Sequence, residues 1–503
     1  MRARALELLV FTVGAGTLGA EIAAARLLAP WFGASTIVWA NTIAIVLVAL
    51  SVGYAIGGRF ADRDPRPSGL AFIVLIASAL LAVVPFVSGP FLRQAVKAVD
   101  RLSAATFVGS LVGVGVLLAI PLLLLGMVSP YAIRLRVATV EGAGHTAGRL
   151  YAISTVGSLV GTFLAALLLI PVVGTRRTFL IFAAAMAIAA VPHLVRGRLP
   201  AAVVPAAILG LIALPTGTIK SVDASGARVI WERETEYQYA RVVQEGDGTR
   251  FLELNEGHAV HSVYRPGRWL TGNYWDQMLA MSFSGTYAAG EMPRSVAILG
   301  SAAGTTARQL GHYAPSTRVD AVEIDGELTE VGRELFDLGG PNLHTHTADA
   351  RPWLQANDRR FDVIMVDAYR QPYIPFYLTT QEFFSLARAR LNPGGVLVVN
   401  SAHPEGSATL EKVLTATLRA AFGHAQVWRD ASEPTNTVLV AATGGDPRPA
   451  LLTAADNLPA DLGTVARSAA ARTTHGLDGG RVYTDDVAPV EWLVDFSLAE
   501  QAG

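Results

Sequence analysis

The sequence predicts an α-helical membrane bundle joined to a doubly wound α/β domain, with a small antiparallel β-sheet between them. Three observations carry this expectation. Residues 1–218 are dominated by apolar runs long enough to cross a bilayer, which takes about 20 helical residues. Beyond residue 218, short strand-like apolar runs alternate with helical stretches, the pattern of a parallel sheet covered on both faces. Charge divides at the same place. Residues 1–218 hold 16 Lys and Arg against 6 Asp and Glu, whereas residues 219–503 hold 24 against 35.

Composition excludes several classes. Of 503 residues, 51% are hydrophobic and only 16% charged, against roughly 25% charged in soluble domains. An ordinary cytosolic enzyme and a disordered chain are both ruled out. The absence of cysteine removes disulfides, thiolate metal sites and thiol nucleophiles, and no metal site is expected. No basic stripe with interleaved aromatics exists, so no nucleic-acid partner is expected.

The apolar segments lie at about 5–30, 36–58, 69–91, 104–133, 148–174, 177–195 and 200–218, about seven helices meeting a lipid bilayer. The first is too long for a signal-peptide core and no small-residue cleavage site follows it. With the amino-terminal end inside, ten arginines lie inside: Arg2, Arg4, Arg59, Arg63, Arg66, Arg134, Arg136, Arg149, Arg196 and Arg198. Six basic residues lie outside: Arg26, Arg93, Lys97, Arg101, Arg176 and Arg177. Glu21 and Arg26 fall in or near the first span, where a structural contact or a snorkelling arginine is preferred to a polar ligand site. Gly157 and Gly161 have the spacing that lets two helix backbones approach closely.

The soluble half begins with strand-like runs at 228–231, 239–243, 251–254 and 259–264, with a Gly246-Asp247-Gly248 turn between the second and third. A helix is expected near 273–283. Strands follow at 296–299, 318–324, just before Asp349, 361–366 and 396–399, with helices between them and a turn at Pro393-Gly394-Gly395. Three domains are expected: 1–218, 219–270 and 271–503.

In such sheets ligands bind beyond the carboxyl ends of the strands. Gly300, Glu323, Asp349 and Asp367 all fall at those ends. The turn Gly300–Gly304 is followed after about 20 residues by Glu323, a carboxylate able to accept both hydroxyls of a ribose. The third glycine of a dinucleotide fingerprint is missing, which disfavours a pyrophosphate ligand. An adenosyl-sulfonium cofactor carries no phosphate and tolerates the looser turn. Asp325 is expected to cap the helix after it. For Asp349, cap and ligand contact both stand. Asp367 ends an apolar strand with no helix directly after it, and a functional role is expected.

These residues resemble the spermidine synthase family of polyamine aminopropyltransferases. The resemblance runs through Val296-Ala297-Ile298-Leu299-Gly300, Val322-Glu323-Ile324-Asp325, Ala348-Asp349-Ala350, Phe361-Asp362-Val363-Ile364-Met365-Val366-Asp367 and Leu391-Asn392-Pro393-Gly394-Gly395. Tyr274-Trp275-Asp276-Gln277-Met278-Leu279 is similar to the family's Tyr-His-Glu-Met helix. The runs 21–30 and 148–158 resemble bacterial fusions of a multispan domain to such a synthase. The resemblance implies a Rossmann-like sheet of the S-adenosylmethionine-methyltransferase type. It also implies transfer of an aminopropyl group from decarboxylated S-adenosylmethionine to an amine, with Asp367 as base. It places the co-substrate on Gly300, Gly304, Glu323, Asp349 and Ala350. It places the amine near Tyr274, Asp276, His261, Tyr369 and Arg370. A small-molecule amine and a second copy of the chain are the partners it implies.

Departures from the family pattern qualify the acceptor. Ala303 and Arg370 stand where the family has amine-binding acids, Trp275 replaces the motif's histidine, and His261 stands near a family glutamine. The nucleoside half of the pattern persists and the amine half has changed, which points to a non-standard acceptor. The alternatives are an S-adenosylmethionine-dependent methyltransferase and a transporter or sensor whose α/β domain only binds a nucleoside. The expected location is a cell membrane with the soluble domain cytoplasmic, where such cofactors are made. The charge count with seven spans gives the opposite side, and the long 104–133 run, with Pro121 and Pro130, leaves the span count open. The tail acids Asp485, Asp486 and Glu491 either return acidity to the site or cap local structure.

Overall fold

A computed structural model describes residues 3–33, 36–99, 105–137, 142–194, 198–215, 217–222, 226–255, 259–286, 292–369, 373–494 and 497. Arg2, Arg101, Arg196 and Arg370 lie outside the described residues. The chain divides into two compact units, one made of Met1–Ser221 with Glu232–Ala240, the other of Val222–Trp231 with Arg241–Gly503.

The first unit is helical: α1 (Ala3–Phe32), α2 (Thr36–Arg63), α3 (Pro67–Val99), α4 (Ala105–Gly126), α5 (Val128–Arg136), α6 (Ala143–Phe163), α7 (Ile170–Ala190) and α8 (Arg198–Ile212). Among the described residues, five helices are long and apolar enough to cross a membrane, the fifth being the 51-residue stretch Ala143–His193. That stretch is too long for one crossing, at about 1.5 Å per residue. It is broken at Gly174, whose φ of 83° no helix accommodates. Glycine supplies this conformation without a Cβ clash. Helices α1 and α6 meet backbone to backbone: a Cβ on Gly157 would strike the Phe11 carbonyl, one on Gly161 the Ala15 carbonyl, and one on Gly14 the Ser154 carbonyl.

The two ends of this unit carry different contacts. At one end Arg149 pairs with Glu7 at 3.0 Å, and His193 hydrogen-bonds the Ala5 backbone. At the other end Arg26 donates to the carbonyls of Thr235 (3.2 Å) and Glu236. There too Arg93 donates to Ser221 Oγ at 2.8 Å, and Arg176 to the Pro215 carbonyl at 3.2 Å. Lys220 Nζ reaches the Pro30 carbonyl at 3.0 Å, and Glu234 Oε2 accepts from the Thr175 backbone at 2.6 Å. Pro215, Lys220 and Ser221 therefore sit at the end of the bundle opposite Ala5. Arg26 is a structural anchor at a helix end.

The soluble part opens with β1 (Arg228–Glu234), β2 (Tyr239–Gln244), β3 (Arg250–Leu254) and β4 (Val260–Tyr264), a four-stranded sheet in that order. Next come α9 (Tyr274–Met281), β5 (Ser295–Leu299), α10 (Thr305–Tyr313), β6 (Arg318–Glu323), α11 (Gly326–Leu335), β7 (Leu343–Thr347), α12 (Ala350–Ala356), β8 (Phe361–Val366) and α13 (Gln381–Ala389). The domain closes with β9 (Leu391–Ala402), α14 (Thr409–Phe422), β10 (Val427–Asp430), β11 (Asn436–Ala442), α15 (Pro447–Asn457), α16 (Ala460–Arg472) and β12 (Thr474–His475).

The eight-stranded sheet has the order β12-β10-β11-β9-β8-β5-β6-β7. β7, β6, β5, β8 and β9 are parallel, and β11, β10 and β12 are added antiparallel. This is the doubly wound α/β architecture the alternation predicts. Strand residues alternate between two cores because successive side chains point to opposite faces. Val296 and Ile298 join one core with α9, α10 and α16, while Ala297 and Leu299 join the other with α13 and α14. Both faces are covered, so Val363, Ile364, Met365 and Val366 are all fully buried and read as an unbroken apolar run.

Pro393-Gly394-Gly395, expected as a turn, lies within β9. The register slips there from Phe361–Leu391 to Val363–Val396, and Gly394 takes φ 79° to absorb the extra residues.

Candidate functional site

β5 lies between β6 and β8, so the chain crosses from one side of β5 to the other between β7 and β8. The carboxyl ends of β5 and β8 are therefore neighbours at the point where strand order reverses, the favoured ligand position in such sheets. Asp367 N donates to the Leu299 carbonyl at 2.9 Å, which fixes the two ends together.

The turn after β5 is built for this contact. Gly300 has φ 87°, and a Cβ there would lie 2.5 Å from Ala368 Cα. Gly304 has φ 87° and lies against the Leu338 side chain. Both glycines are required by the protein's own backbone and packing. β4 secures the same turn: Ser262 Oγ accepts from Ala303 N at 3.0 Å, and Thr305 Oγ1 accepts from Val263 N at 2.8 Å.

Asp367 is surrounded by donors. Asn400 Nδ2 donates to Oδ1 at 2.7 Å, and the Tyr274 hydroxyl donates to Oδ2 at 3.1 Å. Burial still outweighs these bonds and pushes the carboxyl up to about 6. Burial and the Asp367 charge hold the Tyr274 phenol well above its ordinary value, so it stays a donor. The result is a held carboxylate that accepts a proton near neutral pH.

Glu323 ends β6. Its Oε2 accepts from Ala302 N at 2.8 Å and its Oε1 from Asp325 N at 3.0 Å. Desolvation pushes it up to about 7. Each oxygen keeps a second lone pair for a further donor, as a pair of hydroxyls would require. Asp325 turns away and caps α11 through Glu327 N at 3.2 Å.

Asp349 both caps and reaches across. Its Oδ1 accepts from Arg351 N at 3.1 Å, while Oδ2 accepts from the Tyr377 hydroxyl at 2.8 Å. Ala350 begins the helix and is buried. Arg351 grips Asp485 with two bonds of 2.7 and 2.6 Å and also donates to the Tyr377 carbonyl at 3.0 Å. Of the tail acids, Asp485 thus braces the Asp349 segment, and Asp486 is exposed.

The other candidates separate. Asp276 is buried, with its oxygens accepting from Thr271, Gly272 and Gln309 at 2.7–3.0 Å, and so clamps the loop entering α9. The Tyr369 hydroxyl donates to the Asn400 carbonyl at 2.9 Å and accepts from Ala402 N at 2.7 Å, bracing the loop beside Asp367. His261 is half-buried on β4. Sequence reasoning passed over Asn400 and Tyr377. Asn400 stands at the carboxyl end of the Val396–Val399 run, so the rule that finds the acids finds it too once amides are counted.

Fold and site define a doubly wound α/β protein with a carboxylate-lined site at its strand ends. Residues 279–428 match the Spermine/spermidine synthase domain. A probable polyamine aminopropyl transferase of Bifidobacterium longum is 34% identical over 54% of this chain and 65% of its own length. The match therefore spans just under two thirds of that relative. A polyamine aminopropyltransferase of Mycobacterium tuberculosis is 28% identical over 75% of both chains, a reach that extends into the apolar helices. Among solved structures, a probable spermidine synthase from Corynebacterium glutamicum aligns with TM-score 0.38 and 21% identity, over 50% of this chain and 96% of that one.

Proposed function

We propose that the chain is a membrane-anchored aminopropyltransferase that uses decarboxylated S-adenosylmethionine and an amine. One observation carries this reading: the half-buried carboxylate of Asp367, held by Tyr274 and Asn400, at the carboxyl end of β8 beside the Gly300 turn. The bound co-substrate supplies a sulfonium-activated carbon, where the amine lone pair forms the C–N bond as the C–S pair passes to sulfur. Asp367 takes the proton that the amine nitrogen releases. Tyr274 and Asn400 hold that carboxylate in place, and orientation supplies much of the rate. Glu323 holds the ribose hydroxyls on its free lone pairs, and Asp349 receives the adenine amino group.

Support for anchoring comes from the five apolar helices. We place the soluble domain on the cytoplasmic side, where the co-substrate is made. Because Pro215 and Ser221 lie at the bundle end opposite Ala5, this puts the Ala5 end outside, against a bias of ten basic residues to six.

The test is incubation of the detergent-purified full chain with decarboxylated S-adenosylmethionine and putrescine, followed by product analysis. Aminopropylated amine with methylthioadenosine is the expected result. Methylated product with intact S-adenosylmethionine, or binding without any product, would overturn the reading.

A further inference from the structure

Asp367 Oδ1 receives its hydrogen bond from the amide of Asn400, and an amide carries a donor at one end and an acceptor at the other. Which end faces the carboxylate is set by what the far end touches. Asn400 Oδ1 accepts from Asn436 Nδ2 at 2.9 Å, and Asn436 Oδ1 accepts from the Thr435 hydroxyl at 3.1 Å. The two amides are ordered head to tail, and that order turns a donor toward Asp367. Reversed, Asn400 would present an oxygen, which suits only the protonated acid.

His403, just beyond the end of β9, grips both neighbours of Asn436. Its backbone N donates to the Thr435 carbonyl at 2.8 Å, and its ring Nε2 meets Thr437 Oγ1 at 3.1 Å. The ring is fixed at its other nitrogen too. Nδ1 lies 2.9 Å from the Pro404 carbonyl, which only accepts, so Nδ1 carries a hydrogen. Thr437 is fully buried, pairs with Ser401 of β9, and reaches Glu411 of α14 at 3.1 Å. Glu411 is held in turn by Arg429 of β10 at 2.9 Å. Alternate strand residues face opposite ways, so Thr437 points to α14 while Asn436 points to the face that carries Asp367.

We propose that His403 is a positioning residue for the base: it holds residues 435–437 so that Asn436 keeps the donor end of Asn400 on Asp367. This rests on the aminopropyl-transfer reading and deepens it. The groups around the carboxyl are Asn400 from β9, Tyr274 from α9 and the phenol of Tyr369. Those around the His403 ring are Thr437 and, behind it, Glu411 and Arg429. Of the groups on Asp367, Asn400 is the one whose two ends can exchange. Losing the grip therefore favours the protonated acid and weakens the base.

The experiment measures kcat and KM against pH for wild type, His403→Leu, His403→Gln and Thr437→Val, on the full chain in detergent with decarboxylated S-adenosylmethionine and putrescine. Each rate is taken as a ratio to wild type at the same pH, so the ionisation of the amine cancels. Calorimetric binding of methylthioadenosine checks folding. His403→Leu is expected to lower kcat/KM about 10-fold near pH 6.5 and no more than about threefold near pH 8.5, because the limb that lies at about 6 in wild type moves up. The putrescine KM and the methylthioadenosine affinity are expected to stay within about twofold, so the loss falls on kcat. His403→Gln, whose amide nitrogen takes the place of Nε2, is expected to recover most of the loss. Thr437→Val is expected to show the same pH-dependent loss, and it carries the comparison should His403→Leu fail to bind methylthioadenosine. An unchanged rate, a loss equal at every pH, or a glutamine variant no better than leucine would overturn the inference alone. A wild type that forms no aminopropylated amine removes the reading beneath it, and the inference with it.

Discussion

Asn400 donates to Oδ1 of Asp367 at 2.7 Å, and this bond joins the ends of the parallel neighbours β9 and β8. Asn400 is positioned in turn by Asn436, whose amide donates to its Oδ1 at 2.9 Å. Two side chains from two strands, Asn400 directly and Asn436 through it, thus fix one carboxylate oxygen, and Tyr274 fixes the other from α9. A base held from several elements loses little orientation at the moment of reaction.

Replacement of Asp367 by Asn is expected to lower kcat about 10²- to 10⁴-fold, the usual contribution of a positioned base. Methylthioadenosine binding should persist, measured by calorimetry. In wild type, kcat/KM should rise with pH through about 6, where the carboxyl loses its proton. Stability has the opposite slope. The folded carboxyl keeps its proton up to about 6 while the unfolded one releases it near 3.8. The folded state therefore binds more protons in that window, and this group's contribution falls as pH rises through it. Asp367→Asn should melt above wild type at about pH 8 and show no such gain near pH 4.

Glu323 is pushed higher, to about 7, because burial outweighs its backbone hydrogen bonds. Only the ionised form keeps acceptors free on both oxygens. Methylthioadenosine affinity should rise with pH through about 7 in wild type. Glu323→Gln should bind about 10- to 100-fold more weakly and lose that pH dependence, the loss expected for one charge-assisted contact. An unchanged affinity profile would remove Glu323 from the nucleoside site.

The Arg351–Asp485 pair braces the segment that carries Asp349. Asp485 is 43% exposed, so solvent screens the pair. Arg351→Ala is expected to cost only about 1 kcal/mol in denaturant unfolding, a value discounted for that exposure. Its sharper readout is hydrogen exchange, which should accelerate across residues 480–494. Arg351→Lys should be nearly as damaging, since an ammonium cannot reproduce the two-pronged contact.

Membrane orientation is open to reporters. Green fluorescent protein fused after the soluble domain should fluoresce, and alkaline phosphatase at the same place should be silent. Alkaline phosphatase fused ahead of α1 should be active when translocated. The reverse pattern would put the soluble domain outside and agree with the arginine count.

Strand ends were the legible part of the site. An apolar run such as Val363–Val366 marks its own terminus, so Asp367, Glu323 and Asp349 were placed at the sheet's carboxyl edge from sequence. What those side chains touch was less visible. Asp276 reads like a ligand-facing acid, yet it closes a loop through Thr271, Gly272 and Gln309, partners up to 33 residues away. The glycines of the turn read as room for a ligand, but Gly300 makes room for Ala368. The Gln277–Glu433 contact joins residues 156 apart, and no local pattern encodes such a meeting. Periodicity reports which way a side chain faces; long-range topology decides what it finds there.

The seam between α1 and α6 has a consequence of another kind. Gly14, Gly157 and Gly161 bring carbonyls of one helix to where the other's side chains would be. No acyl tail or small guest can lie along that line, and almost any heritable change there inserts a carbon where none fits. Traffic through the bundle, if it carries any, must use a different flank.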